Sequence, residues 1–151
     1  MTARRRALIA EIGAAVQAYQ RSTEAFDDAV GRRLRLNPTD LRCLDWLAES
    51  PRSAGELSEA TGLSSAATTT LLDRLEKRGL LRRVRAGDDR RKVQVELAAR
   101  GRELAAQFYG PIAAEGSKLL SRFSEEQLEA LHDFLVAARE LTERHRARIR
   151  D

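Results

Sequence analysis

The sequence has a single cysteine, three prolines, few aromatic residues and no long apolar run. With Cys43 alone, an intramolecular disulfide and a cysteine-based zinc cage are both excluded. The longest stretch without a charge, Ala60 to Leu72, has 13 residues, six of them Ser or Thr. A membrane span needs about 20 apolar residues, so none is expected. Arg4-Arg5-Arg6 precede Ala7-Leu8-Ile9-Ala10, but Glu11 ends that apolar run too early for a signal segment. His132 and His145 lack the close spacing of a metal-binding helix. There is no glycine-rich phosphate loop and no local Ser-His-Asp or Cys-His motif. These absences point away from an enzyme, a bound metal or another cofactor. What remains is 151 residues, 42% apolar and 33% charged, the profile of one soluble, cytoplasmic domain.

Charge is concentrated in one place. Between Arg74 and Lys92 lie nine basic residues against Glu76, Asp88 and Asp89, a local balance of +6 in a chain whose total is +4. A compact basic patch on a near-neutral body is the footprint of a protein that binds a polyanion.

Periodicity divides the chain into elements. Leu8, Ile12, Val16, Tyr19, Phe26 and Val30 recur at helical spacing, so Arg4 to about Leu34 reads as one long amphipathic helix. A helix of about 30 residues is ~45 Å long, and part of its apolar stripe is expected to meet another subunit. Asn37-Pro38-Thr39-Asp40 starts a second helix, with Asp40 at the positive end of its dipole. Ser50-Pro51 breaks it. Ser53 and Glu56 form a capping box for a third helix that stops at Thr61-Gly62. A fourth opens at Ser64 and ends at Gly79.

The period then changes to two. Leu81 to Arg85 and Val93 to Leu97 alternate like strands, and Ala86-Gly87-Asp88-Asp89-Arg90 between them reads as a turn, which predicts a β-hairpin. The helical pattern returns after Ala98, with a kink or local break expected at Gly110-Pro111. Ser124 and Gln127 form a further capping box before a last helix through Leu131, Phe134, Leu135 and Leu141. Two short helices joined by Thr61-Gly62-Leu63 and followed by a basic hairpin make a winged helix-turn-helix, whose second helix enters the DNA major groove. The expected fold is mostly α with a small β-hairpin wing and long helices at both ends.

Within the fourth helix, Thr68, Leu71, Leu72 and Leu75 share one side and predict its core stripe. Ala66, Thr69, Thr70 and Asp73 point the opposite way, with Ser65 on the flank. Short side chains let a helix sit deep in a groove while offering hydroxyls and contacts to thymine methyls. Ser64, Ser65, Ala66, Thr69, Thr70 and Arg74 are therefore the candidate DNA contacts on this helix. Arg83 and Arg85, with Arg82, are candidate phosphate contacts. Asp89 and Arg91 share a face of an extended strand, so an ion pair there could aim Arg91 into a narrow minor groove. A one-residue register slip would give that place to Arg90. An alternative reading of the same residues is a helical interaction module whose basic hairpin docks an acidic protein partner.

Leu63-Ser64, Leu71-Leu72-Asp73-Arg74-Leu75-Glu76-Lys77-Arg78-Gly79-Leu80-Leu81, and Asp89-Arg90-Arg91 followed by Val93, Val95, Leu97 and Gly101 resemble the MarR family of multiple-antibiotic-resistance-type regulators. The resemblance is sharpest from about Leu57 to Gly101. It implies a homodimer held by residues 1–36 and 99–151, a winged helix-turn-helix over residues 37–98, and binding of duplex DNA at a two-fold operator, by a repressor responsive to an effector. The chain departs from the family pattern at Thr70, often basic, at Ala86-Gly87, commonly Asp-Pro, and at Leu97-Ala98, usually Leu-Thr. The resemblance also implies a crevice for a small aromatic or anionic effector, for which Tyr19, Cys43 and Trp46 are candidate walls. Core packing is the competing reading of Cys43.

Overall fold

In the computed structural model of the chain, residues 1–85, 87 and 92–150 are described. Six helices and one hairpin follow in the order α1 (Ala3–Leu34), α2 (Pro38–Glu49), α3 (Ala54–Thr61), α4 (Ser65–Lys77), β1 (Leu81–Arg85), β2 (Val93–Leu97), α5 (Ala99–Leu120) and α6 (Glu125–Arg150). By packing, the chain divides into two compact units, Met1–Phe108 and Tyr109–Asp151. This division falls inside α5.

Local chemistry sets the helix ends. Asn37 accepts from the Asp40 amide at 2.8 Å, and Asp40 accepts from the Asn37 amide at 3.0 Å. Asp40 is therefore half of a capping box as well as a charge at the dipole. Ser53 and Glu56 make the same reciprocal pair at the start of α3. Hydrogen bonds from Ser53 hold the Glu56 carboxyl below its ordinary pKa. Gly62 ends α3 in the left-handed region at φ 74°, where a side chain would be strained. Arg35 ends α1 at φ 55°, a conformation that costs a non-glycine residue roughly 1–2 kcal/mol.

The core belongs to the first unit. Leu36, Cys43, Leu47, Leu57, Leu71, Leu72, Leu75, Leu80, Leu81, Val95 and Leu97 form one buried cluster. Thr68, Leu71, Leu72 and Leu75 are the buried face of α4, as its periodicity predicts. The strands pair antiparallel with Leu81 opposite Leu97, Arg83 opposite Val95 and Arg85 opposite Val93. Arg52 adds a bridge missed in the sequence: its amide donates to the Val95 carbonyl at 2.9 Å, and the Val95 amide donates back at 2.7 Å. Gly101 lets α5 approach this sheet, since a Cβ there would lie 2.1 Å from the Leu80 carbonyl oxygen.

Helix α5 is continuous through Gly110-Pro111, so of the kink or local break expected there the break does not occur. Proline removes one helical donor and the flanking turns carry the helix across it. In the second unit, Ser124 and Gln127 cap α6 reciprocally at 3.3 and 2.9 Å. None of the described residues of α6 is buried.

Candidate nucleic-acid interface

The predicted contact residues of α4 stand where the sequence puts them. Ser64, the N-cap, accepts from the Ala67 amide, and Ser65, Ala66, Thr69, Thr70 and Arg74 are all exposed. The threonines are not free hydroxyls. Thr69 donates to the Ser65 carbonyl and Thr70 to the Ala66 carbonyl, each at 3.1 Å. Their hydrogens are thereby engaged, leaving oxygen lone pairs and methyl groups to face outward.

Two clamps hold this helix, one on each flank. On one side, Arg74 pairs with the buried carboxylate of Asp40. One turn further, Arg78 donates to the carbonyls of Leu34 at 2.6 Å and Arg35 at 2.8 Å. These bonds tie α4 to the corner between α1 and α2, and they satisfy carbonyls that the end of α1 leaves without helical partners. On the other side, Arg83 from β1 pairs with Asp73 at 2.6 Å and with Glu76. Its own amide also donates to Glu76 at 3.2 Å. Burial works against the charge of Arg83, but Asp73 and Glu76 outweigh it and raise the guanidinium pKa above its ordinary value.

This changes the meaning of the basic window. Arg83, expected at a phosphate, is held by two carboxylates of the same chain. Period-two alternation explains it: Leu81 is buried in the core, so Arg83 lies on the same sheet face and turns toward α4. Parity with Leu81 is the sequence signal that would have found it. Arg82, on the opposite face, pairs across the hairpin with Glu96 at 2.6 Å. Arg74, grouped with the DNA contacts, is also engaged within the chain. Arg85 is exposed and has no ion-pair partner among the described residues. Asp89, Arg90 and Arg91 lie outside the described residues, as does Ala86.

The three candidate effector residues do not share a described cavity. Tyr19 projects from the middle of α1 and is 69% exposed. Cys43 is completely buried in the core, and burial, helped by the charge of Asp40, pushes its thiol pKa up to about 12. It packs within the buried core, as its competing reading held. Trp46 is half-buried, with the Arg52 guanidinium 4.9 Å from its ring centre. A hollow of about 330 Å3 at the α1–α2 corner is lined by other residues, Asp27, Asp28, Arg32 and Arg35 among them. No group of acidic, histidine and cysteine side chains suited to a metal occurs among the described residues, and no described helix is long and apolar enough to cross a membrane.

A family model described as MarR family matches residues 36–92, from the end of α1 to the second strand. The chain is 34% identical over 140 residues to YcgE, an uncharacterized HTH-type transcriptional regulator of Bacillus subtilis strain 168, covering 90% of this chain and 91% of YcgE. Its fold is that of a MarR family protein from Bacillus stearothermophilus, at 23% identity and a TM-score of 0.66 over 95% of this chain and 99% of the other. It also matches a mutant of S. aureus MepR bound to an oligodeoxyribonucleotide, at 17% identity and a TM-score of 0.53 over 85% of this chain and 97% of the other. Its relatives are transcriptional regulators and not enzymes. The winged helix, its short-chained outward helix face and these relatives together place the chain in the MarR family of DNA-binding transcriptional regulators.

Proposed function

We propose that the protein acts as a homodimer on a two-fold duplex-DNA operator and represses transcription by occluding a promoter. One observation carries the reading: the face of α4 formed by Ala66, Thr69 and Thr70 is exposed, has no long side chains, and is held rigid by clamps on both flanks. A helix so built can lie deep in a major groove without reordering itself, and its methyl and lone-pair surface has counterparts on base edges. The wing supports it as the flanking contact, with Arg85 free to meet the backbone. Dimerisation is supported by the exposed apolar residues of the long helices, among them Leu8, Ile9 and Ile12 on α1 and Phe134, Leu135 and Leu141 on α6.

Selection of genomic fragments by the purified protein, followed by competition against scrambled duplex at physiological salt, tests this. The enriched fragments are expected to share a two-fold motif and to bind at least about 1,000-fold more tightly than scrambled DNA. Equal affinity for both would overturn the reading and leave a purely electrostatic binder. Placement of the motif over promoter elements tests the repressor role.

A further inference from the structure

The outward stripe of α4 does not stop at Thr70. At about 100° per residue, Ala66, Thr70, Asp73 and Lys77 fall within about 60° of one another around the helix, and all four are exposed. Beside the far end of this stripe is an open hollow of about 440 Å3 lined by Thr70, Asp73, Arg74, Lys77 and Arg78. Its electrostatics follow from the clamps. Arg74 is balanced by Asp40, and Arg83 is shared between Asp73 and Glu76, which leaves one negative charge on that flank. Arg78 is fixed by the neutral carbonyls of Leu34 and Arg35, so its charge stays uncompensated at a fixed position. Lys77 has no hydrogen-bond or ion-pair partner among the described residues and carries a mobile ammonium on a long stem.

Distance gives the hollow its occupant. Thr70 and Lys77 are seven residues apart, a rise of about 10 Å, and the major groove is about 12 Å wide. With residues 65–70 against base edges, the helix carries Lys77 out to the rim, where a sugar-phosphate backbone passes. We propose that this hollow seats a backbone phosphate of duplex DNA, contacted directly by the Lys77 ammonium with Arg78 as a fixed second cation. The assignment rests on the reading of α4 as the helix that enters the groove. It moves the phosphate contact from Arg83, whose charge is spent within the chain, to a lysine on the DNA-facing stripe itself.

The test is a salt titration of Lys77→Gln on a selected fragment and on scrambled duplex, with Arg21→Gln on α1 as a control that removes the same charge. Both side chains are exposed, so thermal melting is expected to match the wild type. The slope of log affinity against log salt should become shallower by about 0.9 for each lost phosphate contact, about 1.8 for two subunits. The ratio of affinities for selected and scrambled DNA should stay unchanged. A Lys77→Gln slope equal to that of Arg21→Gln overturns the proposal, and so does a loss confined to the selected fragment. If the wild type binds both duplexes equally, the sequence-specific reading fails while the slopes still decide the phosphate seat. No binding to either duplex would end both.

Discussion

The region from α2 to β2 and the long helices around it have similar sequences by pattern and opposite fates in the fold. Among the described residues, every buried apolar side chain lies between Val30 and Leu97, whereas the large exposed ones, Val93 apart, lie outside that range. Both regions place leucines at helical spacing. In the middle of the chain those leucines meet one another across α2, α3, α4 and the hairpin. In α1, a helix of 32 residues, only Val30 and Gly31 are buried. Periodicity announces that a face will be covered but does not say whether by the same chain. The winged region buries its own leucines, and the long helices leave most of theirs exposed, the surface that the proposed dimer would cover.

The largest effects should separate these two regions. Leu75→Ala empties a position with no exposure at all and should cost about 2–5 kcal/mol in denaturant unfolding, a large share of a domain's stability. Leu135→Glu, at a residue 56% exposed, should leave the winged core intact. It should instead lower the sedimentation mass from twice 16.9 kDa to 16.9 kDa and weaken operator binding by roughly 100-fold, the share owed to linked half-sites. A Leu135→Glu protein that stays dimeric would break the comparison.

Cys43 sharpens it from inside the core. Its folded thiol pKa is about 12 against an ordinary 9.0, so the neutral form is favoured in the native state. The sign follows directly: this group's contribution to stability is complete below about pH 9 and is lost as pH rises toward 12. The stability difference between wild type and Cys43→Ala should therefore shift against the wild type across that window. Thiol-reactive reagents should label the native protein only through unfolding. Rapid labelling at neutral pH would mean that the core around α2 opens readily.

How far the sequence disclosed all this depends on range. The N-cap at Asn37, the capping boxes at Ser53 and Ser124, the core stripe of α4 and the strand limits at Leu81–Arg85 and Val93–Leu97 depend on neighbours a few residues away, and all were legible. The Arg74–Asp40 pair joins residues 34 apart, and no periodicity marks it. A lone bridge at Arg52 leaves no alternation to detect, and the adjacent Pro51 reads only as a stop. At the interface, the exposed threonine face was legible because it is the complement of the leucine stripe. The intrachain partners of the basic residues were not legible from a charge count, with Arg83, paired to Asp73 and Glu76, the main instance.

Arg83→Ala is the next smaller effect. Loss of a surface pair with two carboxylates should cost about 1 kcal/mol or less. It should weaken binding to all duplexes by exposing Asp73 and Glu76 to the phosphates. Neutralising those partners tests the cause: in an Asp73→Asn, Glu76→Gln background, Arg83→Ala should have little further effect on DNA affinity. An undiminished effect in that background would return Arg83 to direct phosphate contact.

Thr69 should give the smallest change and the finest one. Its hydroxyl hydrogen is engaged by the Ser65 carbonyl at 3.1 Å, so toward DNA it offers a methyl group and oxygen lone pairs. The methyl suits a thymine C5-methyl, and the lone pairs suit the amino groups of adenine or cytosine. Thr69→Ala removes both and should relax preference at one or two base pairs by about 1 kcal/mol, the lower end for a base contact, with no change in salt slope. Thr69→Val keeps a methyl in place and removes the oxygen. If the methyl is the reader, Val should retain a thymine preference that Ala loses. If the oxygen is the reader, Val and Ala should lose the same adenine or cytosine preference together. Selection of randomised half-sites by the three proteins distinguishes these outcomes, and identical motifs from all three would mean that this helix face positions the protein without reading bases at residue 69.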